Sequence, residues 1–283
     1  MKDALTPAAG GVLYSAVGDA YAAEALQSAR SSMRHNRLPH LLFSSVDVDV
    51  DSDQGLSVER FEPSANAYLD KVANIRRSPF ERSIYLDTDT FVVDEIVHLL
   101  RLLDRFDLAV AYEPAHRGRG DPDVPLAFYE FNTGVVAWRS SERMAAFMRS
   151  WEETYSAWLR DEPFPGAGKP SARRRARRVP GWDPSWGGAA DQPAFRRCAW
   201  QHDVRLFVLG PEYNFRLGAP TTVVERVRVI HGRDRDFDAL AARINSTRNP
   251  RQLPRARPLR MRVKSKLRRI RGRVGRTAAR GLK

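Results

Sequence analysis

A chain of 283 residues is long enough to bury one sizeable core, and 42% hydrophobic residues with six Trp place it among globular proteins. Its single cysteine, Cys198, excludes an intrachain disulfide and a Cys-rich zinc site, and no run of about 18 apolar residues exists to span a bilayer. The net charge of +13 is not spread evenly: from Arg251 to Lys283 there are 14 Lys and Arg and no acid, so taking these from 47 bases and 34 acids leaves residues 1–250 with 33 bases against 34 acids. The body is neutral and the tail carries the excess.

In chain order, Val12–Ala16 reads as a buried strand, with Asp19 at the cap of a helix that carries Ala22, Leu26, Ala29 and Met33 at helical spacing. The apolar stretch Gly10–Gly18 is broken by Asp19 and has no small-residue cleavage site, so no signal peptide is expected and a cytoplasmic setting follows. Leu41–Phe43 is a second strand. The segment Val46–Pro63 carries Asp47, Asp49, Asp51 and Asp53 without the Gly and closing Glu of a calcium loop, and reads as a solvated acidic loop. A helix over Leu69–Ile75 precedes a strand ending at Asp87, and a second helix is expected from about Asp94 to Arg105. Leu108–Ala111 and Val135–Trp138 are strands, the latter following a turn at Asn132-Thr133-Gly134. Ser140 is expected to cap a long helix with Met144, Phe147, Met148, Trp151 and Tyr155 on its core face. Glu162–Gly188, rich in Pro, Gly and Arg, reads as a mobile loop. A helix near Asp191, a strand over Arg205–Leu209, a loop through Tyr213 and Asn214, and a last strand Val227–Ile230 ending at His231 complete the body. Alternating strands and helices imply an α/β domain over 1–250 with a mainly parallel sheet flanked by helices.

The chemistry is concentrated in Tyr85-Leu86-Asp87-Thr88-Asp89-Thr90, an apolar run that stops at two carboxylates one residue apart. A strand delivers its last side chains to the sheet edge, and a turn there lets Asp87 and Asp89 face one cation. A hard divalent ion held by oxygens, with positions left for phosphate oxygens, suits nucleotide-sugar chemistry.

With Ser15–Tyr21 after the first strand, Lys71 sixteen positions before Asp87, Asn132-Thr133-Gly134, Asp191-Gln192 and His231, this order resembles the GT-A glycosyltransferases. Within them it resembles the glycogenin-like, galactinol-synthase-like group, family 8, from about Val12 to His231. The resemblance implies a GT-A fold and a metal-dependent transfer of a sugar from a nucleotide-diphospho-sugar, UDP favoured, to an acceptor hydroxyl with retention. It implies that Asp87, Asp89 and His231 hold Mn²⁺ or Mg²⁺, with Thr88 lying in the same donor-binding segment. Tyr21 would stack on the base beside the backbone of Ser15, Ala16 and Val17, Lys71 would approach the donor's sugar or phosphates, and Gly134 would permit close approach. Asn132, Asp191 and Gln192 would sit beside the transferred sugar, Asp191 as the leading catalytic candidate.

The chain departs from that pattern after His231, where a Gly then Lys-Pro-Trp is replaced by Gly232-Arg233-Asp234-Arg235-Asp236. Arg233 or Arg235 would then grip the diphosphate. Two other readings stand beside the transferase: a sugar nucleotidyltransferase, disfavoured because Ser15–Asp19 has no basic triphosphate loop, and a non-catalytic membrane- or nucleic-acid-binding module. In the tail, Val263, Leu267, Ile270 and Val274 recur at helical spacing among bases, giving an amphipathic helix suited to an anionic inner-membrane surface. Such a tail fits a lipid-linked or glycan acceptor, a small-molecule acceptor remaining open, with nucleic acid the weaker partner class.

Overall fold

Residues 9–50, 55–113, 121, 123–160, 190–217, 219, 221–246 and 251–253 are described by a computed structural model of the chain. The strands are β1 (Gly11–Ala16), β2 (His40–Ser44), β3 (Leu56–Arg60), β4 (Arg82–Leu86), β5 (Thr90–Val92), β6 (Leu108–Tyr112), β7 (Phe131–Arg139), β8 (Leu206–Leu209), β9 (Phe215–Arg216), β10 (Thr221–Val223), β11 (Val229–His231) and β12 (Arg251–Leu253). The helices are α1 (Asp19–Met33), α2 (Ala67–Arg76), α3 (Leu99–Leu102), α4 (Glu142–Arg160), α5 (Gln192–Gln201) and α6 (Phe237–Ile244), with a 3-10 turn at Pro211–Tyr213.

Seven strands form the main sheet in the order β3-β2-β1-β4-β7-β6-β8. β7 is antiparallel to both its neighbours, and the other pairings are parallel. The inner strands β1, β2, β4, β6 and β7 are mostly apolar on both faces because both faces are covered, whereas edge strand β3 is polar and largely exposed. Leu13, Phe43, Tyr85, Val110 and Val136 pack on one side against Val72 of α2, Trp151 of α4 and Phe195 of α5. Alternate residues Val12, Tyr14, Ile84, Leu86 and Ala109 pack on the other against Ala25 and Ala29 of α1 and Leu99. This is the mainly parallel α/β layer architecture that the strand and helix alternation implies. A smaller sheet, β5-β11-β9, has its own core of Phe91, Phe215, Ile230, Phe237 and Leu240.

Several local expectations change. Asp19 lies in the first turn of α1 and the cap is Gly18, at φ 82, whose N–H donates to Ser45 Oγ at 2.9 Å. A left-handed residue is what turns the chain sharply from β1 into α1. The long helix is capped by Ser141, one residue later than expected, whose Oγ accepts from Met144 N at 3.2 Å. The acidic segment Val46–Pro63 contains β3, paired in register with β2. The helix expected over Asp94–Arg105 reduces to α3 with 3-10 bonds from Leu99 N to Ile96 O and from Leu100 N to Val97 O. Asn36 Oδ1 accepts from Ile96 N at 2.8 Å and fixes that tighter start. Asn132-Thr133-Gly134 is no turn but part of β7. Its ladder to β6 jumps here, Val110 facing Val136 while Ala111 faces Asn132, so Thr133, Gly134 and Val135 bulge out of that pairing.

The loop expected over Glu162–Gly188 lies outside the described residues, as does the tail beyond Leu253. The tail's first three residues form β12, antiparallel to β10. Among the described residues no helix is long and apolar enough to cross a membrane.

Candidate metal and donor site

Asp87 follows β4 and Asp89 precedes β5, so the carboxylates flank a tight link between the two sheets. Thr90 Oγ1 donates to the Asp87 carbonyl at 2.8 Å, and Asp87 N donates to the Gly134 carbonyl at 2.9 Å, which pins the first acid to β7. His231 is brought in by the small sheet, where β11 runs antiparallel to β5 with His231 opposite Thr90. Gly232 N donates to the Asp89 carbonyl at 2.8 Å and closes that end.

The three side chains converge. His231 Nε2 lies 3.1 Å from Asp89 Oδ1 and 3.7 Å from Asp87 Oδ2, and ligand atoms of all three residues fall within 4.8 Å of one another. Both acids are partly exposed and the imidazole is buried, so the cluster has one dry wall and one open side. Two hard carboxylates and one imidazole fit Mn²⁺ or Mg²⁺ better than a thiophilic ion. Burial would raise the Asp89 carboxyl, but the hydrogen bond and charge of His231, with Arg233 and Arg216, hold it below the usual carboxylate range.

A second group sits on the other face of β7. Asn132 and Gly134 point one way and Thr133 the other, as strand alternation requires. Thr133 Oγ1 donates to Asp191 Oδ2 at 2.7 Å and accepts from Lys71 Nζ at 3.0 Å. Lys71 also reaches Asp87 Oδ1 at 2.9 Å and Asp191 Oδ2 at 3.4 Å. Burial works against the ammonium, but Asp191 and Asp87 outweigh it and hold Lys71 above the usual lysine range. Lys71 thus joins the metal-facing acid to the start of α5. Asp191 is 1% exposed, and its carbonyl accepts from Trp151 Nε1 at 3.1 Å. In this arrangement Asp191 anchors Lys71, and half-buried Gln192 opens α5 beside it.

Asn132 is fully buried with its amide engaged at both ends. Nδ2 donates to Glu113 Oε2 at 2.9 Å, and Oδ1 accepts from Gly134 N at 3.0 Å and Asn214 Nδ2 at 2.9 Å. The close approach at Gly134 is made by the protein itself: a Cβ there would lie 2.3 Å from His231 Cε1.

Around the open side, Arg233 spans Glu24 of α1, through Nη2 to Oε2 at 2.9 Å, and Asp89, through Nη1 to Oδ2 at 3.5 Å. Arg233 and Arg235 are both exposed, and Arg233 is the one that reaches the acids. Thr88 Oγ1 donates to Glu24 Oε2 at 3.4 Å. Glu24, Thr88, Asp89, Gly232 and Arg233 line a cavity of about 160 Å³. Tyr21, in the first turn of α1, is exposed. Ser15 Oγ accepts from Asn74 Nδ2 at 3.0 Å, Ala16 is buried and Val17 half-buried. Sequence reasoning missed Glu24, Tyr68, Glu113 and Arg216. Tyr68, at the start of α2, is 43% exposed yet packed closely enough that loss of water, then the charges of Asp191 and Asp87, push its hydroxyl up. None of the four belongs to a spaced motif; folding alone gathers them.

No protein-family model matches the sequence, and no curated protein matches it. Among solved structures the chain is similar to the crystal structure of the glycosyltransferase GlyE in Streptococcus pneumoniae TIGR4, at 16% identity and a TM-score of 0.47, over 75% of this chain and 48% of that one. The chain spans about half the length of that protein.

Proposed function

We propose that the protein is a metal-dependent glycosyltransferase, moving a sugar from a nucleotide-diphospho-sugar, with UDP the favoured nucleotide, to an acceptor hydroxyl with retention. The observation that carries this reading is the convergence of Asp87, Asp89 and His231 at one point of the link between the two sheets. The sequence resemblance supports it independently, through the order of its motifs along the chain.

In this reading Asp87, Asp89 and His231 hold Mn²⁺ or Mg²⁺, which when bound neutralises charge on the leaving diphosphate. Arg233 turns its guanidinium from Glu24 and Asp89 toward the phosphates, an exchange of one anion for another at an exposed group. Tyr21 stacks on the base. Lys71 offsets the negative charge of Asp87 on the side away from the cation, and Asp191 with Thr133 holds that ammonium in place. The acceptor is a glycan, lipid-linked or small-molecule hydroxyl, brought to an anionic membrane surface if the basic tail binds one.

The test is calorimetric titration of UDP, GDP and a panel of UDP-sugars into the intact protein and an Asp89→Ala variant, each with and without Mn²⁺. Binding of one nucleotide that needs the metal and vanishes in the variant is expected. A protein that binds no donor under any of these conditions is not a transferase of this kind.

A further inference from the structure

The metal cluster is backed by a buried chain of four polar side chains with a single direction. Glu113, just past β6, has Oε2 bonded by the Arg216 guanidinium at 3.0 Å and by Asn132 Nδ2 at 2.9 Å. Asn132 therefore presents its amide nitrogen to Glu113 and its carbonyl oxygen the other way. The backbone fixes the same orientation, because Asn132 Oδ1 also receives the Gly134 N–H, which can only donate. Asn214 must then turn its Nδ2 to Asn132 Oδ1 and its Oδ1 to His231 Nδ1, at 2.9 and 2.7 Å. An amide oxygen cannot donate, so Nδ1 of His231 carries the proton.

We propose that Glu113, Asn132 and Asn214 form a positioning relay that fixes His231 in the Nδ1–H tautomer and leaves the Nε2 lone pair directed at the Asp87/Asp89 acids. The proposal deepens the metal-site reading and rests on it for the identity of the ligand, while the tautomer itself is a property of the metal-free protein.

With Nδ1–H held by Asn214, Nε2 is left facing the acids with a place for one cation: a proton that bonds Asp89, or the metal that replaces it. In that tautomer a neutral His231 brings an acceptor nitrogen to 3.1 Å from an acceptor carboxylate oxygen, Asp89 Oδ1. The opposite neutral tautomer, with Nε2–H donating to Asp89, would leave no lone pair for a metal. The relay prevents this from a distance. Its members are buried, at 2% for Glu113, 0% for Asn132 and 4% for Asn214, so water does not offer Nδ1 an alternative partner. Orientation of a metal-bound histidine by an outer hydrogen bond is worth on the order of 10–100-fold in metal affinity.

The experiment reads the tautomer directly. Metal-free protein carrying ¹⁵N-labelled histidine is examined by NMR at a pH where further alkali no longer changes the His231 shifts, the signals being assigned by their loss in His231→Asn. Wild type should show Nδ1 protonated. In Asn214→Leu the proton should move to Nε2, and Mn²⁺ affinity, read by paramagnetic resonance of the free ion, should fall on the order of 10–100-fold. Asn214→Asp keeps an acceptor at Nδ1, though it loses the donor to Asn132 Oδ1, and should retain the wild-type tautomer. If Asn214→Leu does not fold, Asn214→Ala tests the same contact, with the proton again expected at Nε2. An Nε2–H wild type, or an Asn214→Leu variant with unchanged tautomer and Mn²⁺ affinity, overturns the relay. A wild type with Nδ1–H that binds no Mn²⁺ supports the relay and overturns the metal reading instead.

Discussion

Replacing Gly134 with alanine places one methyl group where the structure has no room for it. The added Cβ would sit 2.3 Å from His231 Cε1, 2.7 Å from Nδ1 and 2.8 Å from Asn132 Oδ1, against ordinary carbon contacts of roughly 3.5–4.0 Å. The imidazole must retreat by about 1 Å or β7 must shift, and at Gly134 the strand is tied to the β4 side by the Asp87 N–H on the Gly134 carbonyl. Overpacking of this kind costs about 1–3 kcal/mol. Retreat of the ring also strains the 2.7 Å bond to Asn214, worth about 1 kcal/mol. The expected loss is therefore about 2–4 kcal/mol in urea unfolding. Metal–ligand distances tolerate only about 0.2 Å, so Mn²⁺ affinity should fall on the order of 100-fold. Gly55→Ala is the control: its φ of 72 strains an alanine by about 1 kcal/mol, yet nothing lies within 4 Å of the added carbon. It should lose stability without losing Mn²⁺. A Gly134→Ala protein that unfolds and binds Mn²⁺ like wild type would refute the assigned packing of His231 on β7.

Lys71→Met leaves the buried Asp191 carboxylate without its cation and should cost about 3–5 kcal/mol, partly recovered by adding Asp191→Asn; an unchanged urea midpoint would contradict the ion pair. His40 is buried, with Nδ1 bonded to the Leu38 carbonyl and Nε2 to Ser32 Oγ, and burial lowers its pKa to about 4 despite the Leu38 carbonyl. The unfolded chain then binds a proton at about 6.5 that the native state refuses. Stability should fall by up to about 3 kcal/mol as pH drops from about 6.5 toward 4. His40→Gln, compared with wild type by urea unfolding at pH 7 and 4.5, should flatten that slope; equal slopes would exclude His40 as the source. Removal of residues 254–283 should abolish sedimentation with vesicles containing phosphatidylserine, and undiminished binding would place any membrane contact elsewhere.

The sequence by itself determined the elements whose signal is local. Val12–Tyr14, Leu41–Phe43 and Leu108–Ala111 are unbroken apolar runs because both faces of their sheet are covered, and the stripe from Met144 to Tyr155 has the period of one helix face. Asp87 and Asp89 were readable as a pair because one residue separates them and the apolar run ends there. Tertiary structure decided what those acids face. β5, β9 and β11 are two or three residues each, too short for any period, and it is their pairing that sets His231 opposite Thr90. β3 was hidden among acids because an edge strand needs few apolar residues, and the start of α3 was tightened by a distant Asn36. For Asn132 and Gly134, expected beside the sugar, the fold adds contacts that no motif announces, with Glu113, Asn214 and His231. Local pattern depends on neighbours in sequence, whereas the direction of a buried hydrogen-bond chain depends on groups that meet only once the sheets have closed.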